Sequence, residues 1–217
     1  IESAGNVLSL LGNGLNLNEK VSDNEPKKLF GIEYSQYIKT EVDFVKHWDF
    51  GKKNTLAMRS FAGIAIPYGN GNSIPFSRSY FSGGSNDNRG WQAYSLGPGR
   101  SGGVLDFNEA NLKLAFSTEF RFRIGGNLYS AFFVDAGNIW NVLDNVEDEN
   151  YTFNGLSSLK DIAIGSGIGF RYDFDFFVFR FDLGYKTYDP ARETQERWFR
   201  VNKKKKTVLN FGINYPF

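Results

Sequence analysis

The stretch Asn111-Leu112-Lys113-Leu114-Ala115-Phe116-Ser117-Thr118-Glu119-Phe120-Arg121-Phe122-Arg123 divides by parity. Leu112, Leu114, Phe116, Thr118, Phe120 and Phe122 fall on one side, and Asn111, Lys113, Ala115, Ser117, Glu119, Arg121 and Arg123 on the other. A period of two requires an extended strand, because successive side chains of a strand point to opposite faces. One face is large and apolar, the other small or charged. A soluble β-sandwich also has an apolar face, turned to its core. Small residues mixed with Arg and Glu on the second face suit a crowded polar lumen, with the large residues turned to lipid.

The same division recurs downstream. Over 128–140, Leu128, Phe132 and Val134 oppose Tyr129, Ala131, Phe133, Asp135 and Gly137. Over 161–173, Ile164, Ile168, Phe170 and Tyr172 oppose Ala163, Gly165, Gly167, Gly169 and Arg171. Over 176–188, Phe177, Phe179, Phe181 and Leu183 oppose Val178, Arg180, Asp182 and Gly184, and over 207–217 Leu209, Phe211, Ile213, Tyr215 and Phe217 oppose Val208, Asn210, Gly212 and Asn214. Less regular strands are expected at 3–11, 28–46 and 54–66, and the strand quoted first extends over 109–124. The joins alternate: long at 12–27, short at 47–53, very long at 67–108, minimal at 125–127, long at 141–159, minimal at 174–175, long at 189–205. Outer-membrane barrels alternate in this way, with long external loops and tight periplasmic turns. The expected class is therefore all-β, an antiparallel transmembrane β-barrel.

Composition agrees with that class and narrows the alternatives. The 217 residues are 41% hydrophobic and 17% aromatic, with 22 Phe and no Cys, so neither disulfide nor thiolate chemistry is available. No apolar run approaches the roughly 20 residues of a membrane helix. Lys+Arg 25 against Asp+Glu 24 gives a net charge of +1, which leaves no basic footprint for nucleic acid. His47 is the single histidine, so no zinc constellation and no Ser/His/Asp arrangement is expected, and the chain is not read as an enzyme. No cofactor is expected. The chain opens on Ile1 without a signal pattern, which is consistent with a removed leader or with a piece of a longer protein.

The join at 67–108 bears on both size and function. It carries Phe81-Ser82-Gly83-Gly84-Ser85-Asn86-Asp87-Asn88-Arg89-Gly90-Trp91, a glycine-rich loop with one arginine. An eight-stranded barrel has room inside only for side chains, so an inward loop needs more strands. The chain then supplies about eight carboxyl-terminal strands of a larger barrel. Glu119 and Asp135 lie on the polar parity of consecutive strands, which run about 4.8 Å apart, so at similar height they can clasp one guanidinium. The competing reading is an exposed loop charge above two ordinary lumen acids.

Arg89-Gly90-Trp91, preceded by Phe76 and Phe81-Ser82-Gly83-Gly84 and followed by Leu96-Gly97-Pro98-Gly99, resembles the sixth-loop motif of the Omp85 outer-membrane assembly and translocation family. Glu119-Phe120-Arg121-Phe122, Phe133-Val134-Asp135-Ala136-Gly137-Asn138-Ile139-Trp140, Gly167-Ile168-Gly169-Phe170-Arg171-Tyr172-Asp173 and Phe179-Arg180-Phe181-Asp182 resemble the strands that follow. Many members have valine before the arginine and phenylalanine or tyrosine after the glycine, where this chain has Asn88 and Trp91, so the subfamily stays open. The resemblance implies a barrel of about sixteen strands in the outer membrane of a Gram-negative bacterium. It further implies a loop tucked into the lumen, with Gly83, Gly84, Arg89, Gly90 and Trp91 as its motif and Glu119 and Asp135 as its anchors.

It also implies a function without covalent chemistry: folding, insertion or translocation of other envelope proteins through a weak barrel seam. The implied partners are outer-membrane lipids, nascent outer-membrane or translocated proteins, periplasmic domains and accessory lipoproteins. Phe211, Tyr215 and Phe217 are expected on the lipid side of the last strand, as an aromatic girdle, with Phe217 resembling a terminal recognition signal. Gly212 and Pro216 are expected to loosen or cut short its pairing. A passive porin and a small structural barrel are the rival functions. Lys203–Lys206 reads as a solvated basic run, and the acidic stretch 144–150 as solvated or as a cation site.

Overall fold

The computed structural model describes residues 1–15, 17–19, 26–103, 108–199 and 207–217. Its elements in chain order are β1 (Glu2–Ala4), α1 (Asn6–Gly14), β2 (Asn18–Glu19), β3 (Lys28–Leu29), β4 (Ile32–Glu33), β5 (Gln36–Asp49), β6 (Thr55–Tyr68), β7 (Leu112–Gly125), β8 (Leu128–Trp140), β9 (Ala163–Asp173), β10 (Val178–Tyr188) and β11 (Thr207–Ile213). Eight of the strands form one antiparallel sheet in the order β1-β5-β6-β7-β8-β9-β10-β11, open at both edges. β2, β3 and β4 make a small separate sheet. From β5 to β10 each strand has at least 11 residues, enough for the roughly 9–11 that a tilted strand needs to span a membrane.

The two faces follow the parity of the sequence. Phe116, Phe120, Phe132, Val134, Ile168, Phe170, Phe179, Leu209 and Phe211 stand exposed on one face, as lipid-facing side chains do. Glu119, Arg121, Ala131, Phe133, Asp135, Arg171, Arg180 and Asp182 are buried on the other. The chemistry is thus inverted relative to a soluble protein: the apolar side chains are outside and the charged ones within. What covers the charged face is the join between β6 and β7, described over 69–103 and 108–111, which folds over the inner wall instead of extending away from it. It is pinned on itself by β-bridges from Tyr80 to Ala110 and from Ser82 to Leu96, and meets the wall where the Asn111 carbonyl accepts from the Ala65 N–H of β6 at 2.7 Å.

Three of the expected strands differ. The strand expected at 3–11 is the short β1 followed by α1. Gly5 turns the chain with φ 77, and Val7, Leu8 and Leu11 then repeat at helical spacing, a period that competes with alternation in so short a stretch. The long strand expected at 28–46 is broken by Phe30 and Gly31, both at positive φ, into the hairpin β3–β4, before β5 runs on to Asp49. The last strand ends at Ile213, not at Phe217. Asn214 takes φ 65, a left-handed conformation that Asn tolerates, and the chain leaves the sheet there. Lys203–Lys206 lies outside the described residues.

Candidate functional site

The site is built where the loop tip meets the inner wall. Gly83 and Gly84 have φ 96 and 101, a conformation open to glycine, and they start a tight turn closed by a hydrogen bond from the Gly84 N–H to the Trp91 carbonyl at 2.9 Å. Asp87 holds the turn from inside, accepting from the Ser82 hydroxyl at 2.8 Å and the Gly83 N–H at 2.7 Å. The same carboxylate pairs with Lys113 on β7 at 3.1 Å, tying the loop to the wall. Trp91 is buried with Leu96 and Ala163, its ring under the Lys186 ammonium at 4.7 Å.

The turn delivers Arg89 to the wall with no solvent exposure left. Its Nε and Nη2 donate to the two oxygens of Asp135 at 2.8 and 2.9 Å, a bidentate fork, while its main-chain N–H donates to the same carboxylate at 3.1 Å. Its Nη1 donates to Glu119. Register explains how one guanidinium reaches both acids. Asp135 on β8 stands opposite Ser117 on β7, so Glu119 is its diagonal neighbour, and the gap between them accepts the planar fork. The guanidinium also lies 3.5 Å from the centroid of the Phe133 ring, which closes its remaining face. Burial alone lowers the pKa of Arg89, but the carboxylates of Asp135, Glu119 and Asp182 outweigh it and the net shift is upward. The side chain is cationic at every physiological pH.

Four further charged side chains complete the cluster. Arg171 on β9 bridges Glu119 at 2.9 Å and Asp182 at 2.6 Å. Asp182 on β10 lies 3.2 Å from Arg180 Nε and 3.5 Å from Arg89 Nη1. Arg180 also donates to the Ser85 carbonyl and the Asn86 side chain, gripping the loop from the β10 side. Arg121 donates to Glu119 at 2.8 Å. Each anion thus touches at least one guanidinium, the condition under which charge can be held away from water.

Space for the tip comes from absent side chains on the wall. A Cβ at Gly184 would sit 1.9 Å from the Arg89 carbonyl oxygen, so that strand position has to be glycine for the loop to seat. The carbonyl is free to accept a hydrogen bond from Asn210 on β11 at 3.0 Å, which connects the arginine to the last strand of the sheet.

The sequence matches the Omp85 superfamily domain over residues 12–217. The chain belongs to the Omp85 superfamily. In fold, this Omp85 chain is similar to the crystal structure of BamA from Haemophilus ducreyi lacking POTRA domains 1–3, with a TM-score of 0.53 and 16% sequence identity. That similarity covers 89% of this chain and 36% of the other, so the chain spans about a third of the length of the structure it resembles. No curated protein matches the sequence. Superfamily membership together with a wall of spanning strands locates this Omp85 chain in the outer membrane of a Gram-negative bacterium.

Of the residues singled out in the sequence, Gly83, Gly84, Arg89, Gly90, Trp91, Glu119 and Asp135 come together at this one site, and Phe211 stands on the outer face against Phe179 and Phe181. Tyr215 and Phe217 are elsewhere than expected. They are half-buried and turned into the lumen, where Arg121 lies 4.2 Å from the Tyr215 ring centroid and 5.6 Å from that of Phe217. The reason is the turn at Asn214, after which parity along the strand no longer sets the direction of a side chain. Arg171, Arg180, Asp182, Gly184 and Asn210 were visible as polar-parity residues, but only register shows that they converge. In the acidic stretch, Asp144 and Asp148 accept the main-chain N–H groups of Val146 and Asn150, and among the described residues no group of three His, Cys, Asp or Glu side chains is gathered to hold a metal.

Proposed function

We propose that this chain is the carboxyl-terminal part of an outer-membrane assembly factor, BamA-like or TamA-like, which folds, inserts or translocates other envelope proteins through a barrel seam. The observation that carries this reading is the buried clamp on Arg89, which binds a 43-residue loop to four consecutive strands and, through Asn210, to the edge strand β11. A passive pore gains nothing from filling its lumen with a pinned loop. A seam factor does: a braced inner wall lets one edge stay weak without the barrel collapsing.

In this reading β11 is one side of the seam, and an incoming strand pairs with an edge through the main-chain hydrogen bonds that close any sheet. The work is physical. A nascent strand has its backbone N–H and C=O groups satisfied before lipid can penalise them, at several kcal/mol for each one left unpaired. The partners are then outer-membrane lipids, nascent outer-membrane or translocated proteins, and, in the intact protein, periplasmic domains with their accessory lipoproteins. The loop motif Gly83, Gly84, Arg89, Gly90 and Trp91, with Glu119 and Asp135 as anchors, serves as the brace.

The test is reconstitution of the intact protein in liposomes with an unfolded outer-membrane β-barrel as client. Faster acquisition of the protease-resistant client fold than in protein-free liposomes is expected. Small-solute flux without any such acceleration would overturn the proposal in favour of a passive channel.

A further inference from the structure

The helix α1 carries a polar stripe, and that stripe is turned to the protein. Asn6, Ser9 and Asn13 recur at helical spacing. The Asn6 side-chain oxygen accepts from the Tyr68 hydroxyl at 2.6 Å and from Gln36 Nε2 at 3.2 Å, while its Nδ2 donates to the Ser3 hydroxyl at 2.7 Å. Two turns on, the Asn13 side-chain oxygen accepts from Asn18 Nδ2 at 2.7 Å and from Lys27 Nζ at 3.0 Å. Gly12, beside the stripe, is pressed so closely on β2 that a Cβ there would lie 2.1 Å from the Asn18 side-chain oxygen. The opposite arc of the helix carries Val7, Leu8 and Leu11, which are 68%, 42% and 48% exposed.

What meets that arc depends on the side of the wall to which α1 is attached. Ser3 stands opposite Ile38 and Gln36 opposite Tyr68, and residues directly opposite one another share a face of the sheet. Ser3, Gln36 and Tyr68 therefore lie on the parity of Ile38, Val42 and Phe44, the exposed apolar side chains of β5, and not on that of the buried Tyr37 and Ala65. Polar side chains on this otherwise lipid-facing parity mark where the helix is fastened. The join from β1 to β5 lies at the other end of β5 from the tight turn at 50–54, and so at the end of the long external loops. From β1 the helix leans over β5 and β6, away from the open edge of the sheet. Its apolar arc points away from the wall and continues a surface that already faces lipid.

We propose that α1 is an interfacial helix of the surface leaflet: Asn6 and Asn13 pin it to the lipid side of the wall, and Val7, Leu8 and Leu11 sink among the acyl chains. With nine residues it is about 14 Å long, so it lies along the membrane and does not cross it. The contact is with hydrocarbon and not with headgroup phosphate, because no charged residue occurs between Glu2 and Glu19. A surface helix of a soluble protein turns its apolar stripe to the core. Here the orientation is reversed, as it is in the strands, and a leaflet is the surrounding that stabilises the reversal. The inference needs the outer-membrane location alone and stands apart from the assembly-factor reading.

The absence of native Cys allows single spin labels at Val7→Cys or Leu11→Cys in the intact protein, reconstituted in phosphatidylcholine bilayers. Power saturation compares collisions with oxygen, which concentrates in lipid, and with a nickel chelate, which stays in water. Either label should collide predominantly with oxygen, and one site suffices if the other variant fails to fold. A reference label at Lys52→Cys, exposed in the β5–β6 turn, should collide predominantly with the chelate. The oxygen preference should persist unchanged when anionic phosphatidylglycerol is added, since acyl chains carry the contact. Asn6→Ala, combined with the label at Leu11→Cys, should leave the label in lipid but narrow its spectrum, because three hydrogen bonds to the wall are lost. Predominant collision with the chelate at the helix overturns the proposal by placing α1 above the membrane. Protection from both reagents overturns it as well, by assigning the arc to another stretch of the protein or to a second copy. An oxygen preference that appears only with phosphatidylglycerol overturns the acyl-chain contact, and an unchanged spectrum in Asn6→Ala overturns the pin.

Discussion

Replacing Arg89 by alanine should unseat the loop, and the structure indicates where the cost falls. Glu119 would keep Arg121 and Arg171 as partners. Asp135 would not: it would lose both bonds of the fork and retain the main-chain N–H of residue 89 and Ser117, while only 1% exposed. Leaving one member of a buried pair uncompensated costs about 3–5 kcal/mol. At 1.4 kcal/mol per decade, the seating equilibrium of the loop should therefore fall by about two to three and a half orders of magnitude. Hydrogen exchange at the Gly83 and Gly84 amides measures this directly, because both are held by hydrogen bonds that exist only in the folded turn. Their exchange should accelerate by the same factor in Arg89→Ala and by less in Arg89→Lys, whose single ammonium cannot bridge two acids. Adding Asp135→Ala to Arg89→Ala should recover part of the loss, since it removes the orphaned charge. Exchange at these amides indistinguishable from the parent in Arg89→Ala would refute the claim that the arginine seats the loop.

Other perturbations address separate parts of the site. Gly184→Ala places a methyl 1.9 Å from the Arg89 carbonyl oxygen and should destabilise the seated loop by about 1–3 kcal/mol, read as a lower unfolding temperature. Asp182→Asn and Arg171→Gln should be non-additive, with a coupling of about 0.5–3 kcal/mol in a double-mutant cycle on urea unfolding, because they share one buried bond. Burial pushes the carboxyl of Glu109, in the loop, above its ordinary range. A raised carboxyl favours the folded state when protonated, so its contribution is present below the unfolded pKa and lost as pH rises through the folded value. Glu109→Gln should raise the unfolding temperature at pH 7 and flatten its change between pH 4 and 7.

Much of the wall was legible because parity survives in strands whose two faces meet different media. From Leu112 to Tyr188 one face meets lipid and the other a polar interior, so the residues at 119, 121, 133, 135, 171, 180 and 182 could be assigned a side from the sequence alone. Assigning partners was not possible, because the contacts of Arg89 depend on register and on how far the loop reaches. The link from Asn210 to the Arg89 carbonyl joins residues 121 positions apart and has no local signature. Elements failed where the local signal was short or broken. Val7, Leu8 and Leu11 satisfy a helical period as well as Ser3 to Leu11 satisfies a strand, and Phe30-Gly31 divides what alternation alone would continue. Tyr215 and Phe217 kept the right parity for lipid but lost the strand that gives parity its meaning, once Asn214 adopted a left-handed turn.

The most direct measurement is an experimental density map of the intact protein in a lipid nanodisc, at a resolution that shows the Arg89 guanidinium. It should lie on the inner face of the barrel wall, forked onto Asp135 and touching Glu119, with Phe120 and Phe132 turned to lipid. A loop tip standing outside the barrel, or either carboxylate directed at the lipid, would contradict the account at its centre.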